Sequence, residues 1–477
     1  MRRLVAGVDS STQSCKIMIR DADTGALVRS GIARHKSGTE IDPMVWFEAF
    51  HEAAKQAGGL EDISALSIAG QQHGLVCIDS DGSVVRKALL WNDVRSAEDA
   101  QDLIVEMGEG NREMGAERWA GRIGSVPVAS LTISKLRWLA KAEPQHLGEV
   151  AAIALPHDWL SWKVSGSTNI EDLKTDRSEA SGTGYFDPVS NQYQRDLLKM
   201  AGGSSLDRVT LPKVLRPNEA ASNAPIGDGL LIGPGAGDNA GAALGLNLRP
   251  GELSLSLGTS GVVSLVSTSP TQDPSGMVTG FADARGDYLP LACTLNASRV
   301  LDAVGLMLGV DHEGLSRLAL SAPPGAEGLV LVPYFDGERT PNLPCATGSM
   351  LGITGKNLTP QNIARASIEG VLCSVNVGIE AMRQLGVPVD RINLIGGGAR
   401  INAVKRIAPS VLGMPVTVPE FGEYVADGAA RQAAWVLHGG ETPPEWTPRM
   451  SSEFDSRHEP FIVQRYMDAC GNYIESQ

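Results

Sequence analysis

The feature that most constrains the fold of this chain is a strand–turn–strand pattern that occurs twice. Near the N-terminus, LVAGVDSSTQSCKIMI consists of two apolar runs separated by Asp9 and small hydroxyl residues, and LSLSLGTSGVVSLV repeats this arrangement at 253–266. Apolar runs around a turn of Gly, Ser and Thr predict antiparallel hairpins. The chain has 477 residues, too many for a single core. The repeat therefore predicts two homologous α/β domains with a ligand site between them.

The segments after each hairpin support this division. The first copy continues with a strand in ALVRSGIARH, a helix in PMVWFEAFHEAAKQAG and a buried strand in ISALSIAG, which runs into QQHG. The second continues with a long helix in SIEGVLCSVNVGIEAMRQLG, then a strand, a Gly turn and a helix in INLIGGGARINAVKRIAPSVLG. We predict an N-terminal domain over 1–246 and a C-terminal domain over 247–440. Residues 441–477 form a Pro- and Gly-rich linker, GGETPPEWTPRM, and a terminal helix around FIVQRYMDACGNY.

Composition narrows the classes of protein. The chain carries 41 Lys and Arg against 55 Asp and Glu, a net charge of −14, which argues against a nucleic-acid-binding surface. No apolar run approaches the ~18 residues of a membrane span, and the N-terminus reaches Asp9 before a secretory signal could form. The six cysteines are widely spaced, without a CxxC pair, which predicts reduced thiols. We expect a cytoplasmic protein that contacts neither membrane nor nucleic acid.

Two segments of the sequence match common enzyme motifs wholly or in part, but neither supports the corresponding function. GAGDNA at 235–240 matches the pattern G-x-G-x-x-A, but Asp238 would repel a pyrophosphate in that turn. HEAAK at His51 begins like a zinc-protease helix but has Lys55 in place of the second histidine. The sequence contains neither a Walker A motif nor a G-x-S-x-G elbow. A dinucleotide dehydrogenase, a P-loop enzyme and a serine hydrolase are therefore disfavoured.

The two turns themselves have two interpretations. Successive backbone N–H groups in a short turn can bind phosphate oxygens, and hydroxyls such as those of Thr12 and Thr259 can add hydrogen bonds. The same residue types also form ordinary hairpin turns. One such turn alone favours the ordinary hairpin, whereas two at equivalent positions of a repeat favour a phosphate site. Asp9, beside the first turn, could either hold Mg²⁺ or cap the turn.

The most informative segment is LLIGPGAGDNAGAALG, in which a buried strand leads through glycines to Asp238 and then to a helix of small residues. Here we expect the helix dipole to keep the carboxylate ionised, so that it can accept a proton from a substrate hydroxyl. The alternative is an N-cap aspartate. The GGGAR turn at 396–400 suits a ring or a phosphate lying on bare backbone, whereas His73 alone is more typical of a buried core histidine.

In this order, these segments resemble the FGGY carbohydrate kinases, which belong to the superfamily of actin and the Hsp70 ATPases. The resemblance runs from GVDSSTQS to about Trp435 and is carried by GQQHG, ALLWNDVR, GAGDNAG, LSLGTSG, PYFDGERTP, LIGGGAR and DGAARQAAW. It implies an α/β fold of two ribonuclease H-like domains with a cleft between them. Within the family, GQQHG, LLWND and GERTP are most similar to the kinases that phosphorylate D-xylulose.

The resemblance implies transfer of a phosphoryl group from ATP to the terminal hydroxyl of D-xylulose, with Mg²⁺ as the metal. It assigns Asp238 as the general base and Asp9 as a second catalytic residue that serves the metal. The other residues that it assigns are Gln72, His73 and Asn239 at the sugar, Thr12 and Thr259 at the phosphates, and Gly397, Gly398 and Asn402 at the nucleotide. A homodimer is a further expectation.

One departure from the family pattern concerns Ser11, which stands where the family usually has glycine. If that position requires positive φ, serine costs about 1 kcal/mol there. Two alternatives to the D-xylulose assignment also stay open. One is a kinase for another ketose or polyol, such as ribulose, gluconate or glycerol. The other is a non-catalytic sugar-sensing protein on the same fold.

Overall fold

The computed structural model describes residues 3–227, 229–446 and 450–475, with side chains up to residue 471. In the first half of the chain the strands are β1 (Leu4–Ser10), β2 (Ser14–Asp21), β3 (Leu27–Arg34), β4 (Glu40–Ile41), β5 (Ile63–Gly70), β6 (Val76–Ile78), β7 (Ala88–Leu89), β8 (Ala152–Ala154), β9 (Lys174–Asp176), β10 (Phe186–Asp187), β11 (Gln192–Tyr193), β12 (Lys213–Leu215), β13 (Ser222–Ala224), β14 (Leu230–Ile232) and β15 (Ala236–Gly237). The helices of this half are α1 (Met44–Gln56), α2 (Ala97–Met107), α3 (Arg112–Ile123), α4 (Thr132–Ala142), α5 (Pro144–Glu149), α6 (Pro156–Val164), α7 (Arg177–Ser181), α8 (Arg195–Gly202) and α9 (Asp238–Gly245).

In the second half the strands are β16 (Glu252–Leu257), β17 (Gly261–Leu265), β18 (Thr279–Ala282), β19 (Tyr288–Thr294), β20 (Val330–Val332), β21 (Ser349–Leu351), β22 (Arg391–Ile395), β23 (Val416–Pro419) and β24 (Ser451–Phe454). The helices of this half are α10 (Ser298–Leu308), α11 (His312–Ser321), α12 (Pro360–Gln384), α13 (Asn402–Leu412), α14 (Tyr424–His438) and α15 (Pro460–Glu475).

The first sheet is built around β1. This strand pairs antiparallel with β2 and parallel with β5, and β2 pairs antiparallel with β3. The remaining strands, β14, β13 and the short β15, extend the sheet from the β5 side. The predicted hairpins, the helix α1 and the buried strand β5 are confirmed. β5 is buried almost throughout because helices cover the sheet on both faces, as expected for a strand with a continuous apolar run.

The second sheet repeats this topology around β16. That strand pairs antiparallel with β17 and parallel with β22, and β17 pairs antiparallel with β19. The matching connections of β1 and β16 confirm the internal repeat that the two hairpin sequences predicted. Each sheet has its own apolar core, in which α1 and α6 pack near the first sheet and α12, α13 and α15 pack near the second.

Helix α14 lies between β23 and β24 of the second sheet in sequence but packs on the first sheet. Its backbone comes so close to β1 that a Cβ atom at Gly7 would lie 1.9 Å from the carbonyl oxygen of Ala426. A Cβ atom at Gly428 would likewise lie 1.8 Å from the carbonyl oxygen of Gly241 in α9. Glycine is therefore required at both positions, and α14 ties the C-terminal half of the chain to the N-terminal sheet.

The C-terminal segment contributes to the second domain. β24 pairs antiparallel with β23, and the buried side chains of Ile462 and Tyr466 on α15 join the second core. Residues 447–449 of the predicted linker lie outside the described residues. Within the described part of the chain all six cysteines are free thiols, as predicted, and no helix is long and apolar enough to cross a membrane.

Candidate active site

The candidate site forms where β1, β5 and β15 end. In the register of the parallel strands, Asp9 of β1 lies beside Ala69 of β5, and Gly237 of β15 lies beside Gly70. Neighbouring strands are about 4.8 Å apart, so the backbones of Asp9 and Gly237 lie about 10 Å apart on either side of β5. The residues that follow β5 and β15 are Gln71–His73 and Asp238–Asn239. Segments far apart in sequence thus place their polar side chains at one edge of the sheet.

Asp9 is buried, and it is paired with a lysine that the sequence analysis did not single out. The Nζ atom of Lys16 lies 3.5 Å from Asp9 Oδ2 and 2.6 Å from Glu423 Oε2 of the C-terminal half. Burial raises the pKa of Asp9 to about 6, although the lysine opposes this effect. Lys16 pairs directly with Asp9 in the β1–β2 register, so the predicted hairpin already contained the signal.

Asp238 is half-buried at the start of α9. Its carboxylate oxygen Oδ1 accepts hydrogen bonds from the backbone N–H of Asn239 at 2.7 Å and from the Asn239 side-chain amide at 2.9 Å. The N-cap position belongs to Gly237, so the alternative that Asp238 is an N-cap is wrong.

The expectation that the helix dipole keeps Asp238 ionised is also wrong. Burial, together with the negative charge of Asp9, raises the pKa of Asp238 to about 7. The backbone hydrogen bonds at the start of α9 lower this pKa but are outweighed by the effect of burial. A carboxyl group with such a pKa exchanges protons readily at neutral pH.

Of the three residues assigned to the sugar, Asn239 and Gln72 are linked to this carboxyl group by hydrogen bonds, and His73 follows Gln72 in the chain. Gln72 Nε2 donates to the carbonyl oxygen of Ser178 at 3.2 Å, and Gln72 Oε1 accepts from Asn239 Nδ2 at 3.4 Å. His73 is held at φ +69°, and its Nδ1 atom lies 2.7 Å from the carbonyl oxygen of Gly182. Burial lowers the pKa of His73 to about 3. The imidazole is therefore neutral, so Nδ1 donates to the carbonyl and Nε2 is left as an acceptor.

The first turn is ordered by hydrogen bonds of its own. Thr12 Oγ1 accepts from Trp91 Nε1 at 3.1 Å and lies 3.5 Å from Gln71 Oε1. Ser11 donates from its backbone N–H and from its hydroxyl to the carbonyl oxygen of Ser14. Among the described residues, the non-glycine positions with positive φ do not include Ser11. Serine in place of the family glycine therefore causes no backbone strain here. Trp91, which lies in the ALLWNDVR segment, is a site residue that the sequence analysis did not name.

The second turn lies beside the Gly turn, because β16 and β22 are parallel neighbours and their carboxyl ends meet. Thr259 is exposed in its turn, and its carbonyl oxygen accepts from the N–H of Ala297. Gly397 is exposed, with open space where a Cβ atom would lie, whereas a Cβ atom at Gly398 would be 2.7 Å from Leu257 Cβ. Asn402 is exposed at the start of α13. The second sheet thus groups Thr259 with the three residues predicted at the nucleotide, while Thr12 is grouped with the sugar residues on the first.

Comparison with known proteins identifies the family. The N-terminal domain of the FGGY family of carbohydrate kinases matches residues 4–245, and the C-terminal domain of this family matches residues 253–437. The chain belongs to the FGGY family of carbohydrate kinases. The resemblance, the two-domain α/β fold and the enzyme class stated in the sequence analysis are therefore confirmed. As a family member the protein is an ATP-dependent sugar kinase, with a sugar and ATP as its substrates.

Similar proteins share most of their length with this chain. The xylulose kinase of Streptomyces coelicolor is 44% identical over 91% of this chain and 88% of its own length. The xylulose kinase of Haemophilus influenzae is 32% identical over 98% of both chains. The crystal structure of xylulose kinase from Bifidobacterium adolescentis superposes with a TM-score of 0.92 at 48% identity, covering 98% of this chain and 99% of that one.

Proposed function

We propose that this FGGY kinase transfers the γ-phosphoryl group of ATP to the terminal hydroxyl of D-xylulose, forming D-xylulose 5-phosphate and ADP. The assignment of D-xylulose as the substrate is supported by xylulose kinases that are 44% and 48% identical to this chain across nearly its whole length. The mechanism rests on one observation, the half-buried Asp238 carboxyl group with a pKa of about 7 beside Asn239.

Asp238 is the general base in this proposal. Phosphoryl transfer requires positioning and charge neutralisation, with removal of the hydroxyl proton as the acceptor oxygen attacks phosphorus. A base with a pKa near the working pH is efficient, because it is substantially ionised and still holds the proton that it receives. Asn239 fixes the orientation of the carboxylate through two hydrogen bonds to Oδ1, which leaves Oδ2 for the substrate hydroxyl.

Gln72, His73 and Asn239 bind the sugar. All three are uncharged, so they recognise hydroxyl and carbonyl oxygens through hydrogen bonds of fixed direction. His73 offers an acceptor at Nε2 because its Nδ1–H is committed to the carbonyl oxygen of Gly182. A site that pairs its polar atoms with substrate hydroxyls rejects analogues that lack them.

The residues present fit Mg²⁺ and the phosphates of ATP. Mg²⁺ is commonly held by one or two carboxylates together with phosphate oxygens, and Asp9 supplies such a carboxylate at the end of β1. When bound, the ion would neutralise charge on the transferring phosphoryl group. Lys16, 3.5 Å from Asp9 Oδ2, adds a positive charge at the same place. Thr12 and Thr259 face the phosphates from the two turns, and Gly397, Gly398 and Asn402 face the nucleotide.

The proposal is tested by ADP release coupled to NADH oxidation, with Mg-ATP and a panel of D-xylulose, L-xylulose, D-ribulose, L-ribulose, glycerol and gluconate. We expect D-xylulose to give the highest kcat/KM and Asp238→Asn to lower kcat by about 10²–10⁴-fold, the usual contribution of a general base. Asp273→Asn, in which a buried carboxylate outside the site is replaced, is the matched control.

Each outcome of this assay selects one function. Turnover with a different sugar, still lost in Asp238→Asn, would keep the mechanism and reassign the substrate to another ketose or polyol. No stimulation by any sugar would refute the kinase proposal and favour a sugar-sensing role. Wild-type activity in Asp238→Asn would refute the assignment of the base.

Three further expectations stay predictions. The family matches end at residue 245 and resume at 253, which supports a boundary near 246 and 247. A homodimer predicts about twice the chain mass of 50.3 kDa by light scattering after size exclusion. A cytoplasmic location predicts recovery in the soluble fraction after gentle lysis of the native host.

A further inference from the structure

Helix α7 places a buried serine against the backbone that carries the base. Ser178 is fully buried on this helix, which follows β9 directly. The backbone N–H of Gly237 donates to Ser178 Oγ at 3.0 Å. Gly237 immediately precedes Asp238, so this bond fixes the peptide unit from which the catalytic carboxylate projects. No motif of the sequence analysis includes Ser178.

The direction of these hydrogen bonds is set by chemistry. An N–H group can only donate, so Ser178 Oγ must accept from Gly237. The serine hydroxyl proton is then free for Asp176 Oδ2, which lies 2.6 Å away, a short O–H···O⁻ distance. The same Asp176 carboxylate caps α7 by accepting from the N–H groups of Ser178 and Glu179. Asp176 therefore fixes both the helix start and the rotamer of Ser178.

The main chain of Ser178 makes a second link to the site. Its carbonyl oxygen accepts from Gln72 Nε2 at 3.2 Å, and Gln72 Oε1 accepts from Asn239, whose amide also donates to Asp238. These bonds close a ring that runs from Ser178 through Gln72, Asn239 and Asp238 and returns through the Gly237 N–H. A sugar-binding side chain and the base are thus fixed to one residue from a third segment of the chain.

The ring is tightly packed. A Cβ atom at Gly237 would lie 2.6 Å from Gln72 Nε2, so β15 and the glutamine are in direct contact. The hydrogen bond from Gly237 to Ser178 joins α7 to both. Ser178, Asp176 and Gln72 are each at most 6% exposed, so water has little access to these hydrogen bonds. Loss of the serine hydroxyl would leave the buried Gly237 N–H without its partner, and the backbone before Asp238 would move to find another.

We propose that Ser178 is a positioning residue for phosphoryl transfer, which holds Asp238 through the Gly237 N–H and orients Gln72 through its carbonyl oxygen. The inference rests on the proposed function, since it concerns the base of that reaction. Ser178→Ala removes the bond to Gly237 but keeps the carbonyl that binds Gln72. The substitution should therefore impair the chemical step more than it impairs sugar binding.

The expected size of the effect follows from the sensitivity of catalysis to geometry. A displacement of about 1 Å at a reacting group costs about 100-fold in rate. We expect Ser178→Ala to lower kcat by about 10- to 100-fold, with less than a threefold change in the dissociation constant of D-xylulose measured by calorimetry. Ser178→Thr keeps a hydroxyl group and should recover most of the lost kcat.

A matched control separates positioning from a loss of stability. Ser267 is also a buried serine whose hydroxyl accepts a backbone N–H, that of Ser269, and it lies in a loop of the second domain. Ser267→Ala should lower the melting temperature about as much as Ser178→Ala does but leave kcat within twofold of the wild type. A structural role alone would give both alanine variants the same kinetics.

The wild-type assay separates this inference from the proposed function. If the wild type phosphorylates no sugar in the panel, the proposed function is refuted and the role of Ser178 is refuted with it. If the wild type is active and folded Ser178→Ala retains more than half of its kcat, only the role of Ser178 is refuted. That role is also refuted if kcat falls no further than in Ser267→Ala, or if Ser178→Thr is as slow as Ser178→Ala.

Discussion

Replacement of Asp238 by asparagine should lower kcat by about 10²–10⁴-fold and at the same time stabilise the fold above neutral pH. The pKa of Asp238 is raised from 3.8 to about 7 in the folded protein. An acid whose folded-state pKa is raised opposes folding wherever it is ionised in the unfolded chain, so its cost begins near pH 4, grows up to pH 7 and is then constant. The asparagine side chain carries no charge at any of these pH values, so Asp238→Asn removes the cost.

The magnitude follows from the two pKa values. One pKa unit corresponds to about 1.4 kcal/mol. The difference between 3.8 and about 7 therefore means that ionised Asp238 lowers the free energy of unfolding at pH 8 by at most about 4 kcal/mol. Asp238 is only half-buried, and solvent screening reduces this to about 2 kcal/mol. Unfolding entropy is about 2.1 cal/mol/K per residue, so a domain of roughly 240 residues should melt about 4 °C higher in the variant.

Differential scanning calorimetry at pH 5 and pH 8, with the variant and the wild type side by side, measures this effect. We expect the variant to melt higher at pH 8 and the difference to shrink at pH 5. Asp273 accepts from the backbone N–H of Ser275 with one oxygen and from that of Val278 with the other, and asparagine keeps only one of these acceptors, so Asp273→Asn should be destabilised at both pH values. A melting temperature of Asp238→Asn at or below the wild-type value at pH 8 would refute the reasoning, as would a difference independent of pH.

The remaining predictions concern the rate profile and the nucleotide turn. The kcat/KM of the wild type should rise with pH through an apparent pKa of about 7, because only ionised Asp238 accepts the proton, and a flat profile between pH 5.5 and 8.5 would contradict this. Gly397→Ala should leave the melting temperature unchanged but raise the KM for ATP several-fold, because its Cβ atom would occupy open space at the predicted nucleotide position. Gly398→Ala, whose Cβ atom would lie 2.7 Å from Leu257 Cβ, should instead lower the melting temperature, and equal stability of the two variants would contradict the packing described.

The sequence was most informative where the structure is local. The hairpin around Asp9 and the strand before Gln72 could be predicted, because apolar runs bounded by turn residues determine those elements within a few positions. The shared sheet edge of Asp9 and Asp238 was not predicted, because it depends on the parallel pairing of β1 and β15 with β5. Lys16 could have been predicted from the hairpin, since it is the cross-strand partner of Asp9.

Other parts of the site could not be predicted from one sequence. Glu423 pairs with Lys16 across 407 residues of chain, and the hydroxyl of Ser178 contacts Gly237 across 59. Neither contact has a local pattern, because each depends on how complete sheets and helices pack. The ionisation of Asp238 was predicted wrongly for the same reason. A helix start is visible in the sequence, whereas the burial that outweighs it is a property of the assembled cleft.

Helix α14 belongs to the C-terminal domain by sequence but to the N-terminal domain by its contacts. Ala430, Ala433 and Ala434 of α14 are fully buried in one cluster with Val5 of β1 and Ala65 of β5. The adjoining turn of α14 bonds to β2, where Arg20 donates to Asp427 at 2.6 Å.

A fragment that ended near residue 246 would therefore lack a helix that covers its own sheet and would expose the apolar side chains of β1 and β5 to water. The same contacts constrain closure of the cleft. Any rotation of the second sheet toward the sugar residues that keeps α14 in place must be absorbed in the connection at 246–252 and in the segments that join α14 to β23 and to β24. The carboxylates of Asp9 and Asp238 then stay fixed on the first sheet, and it is the turn containing Thr259 that moves relative to them.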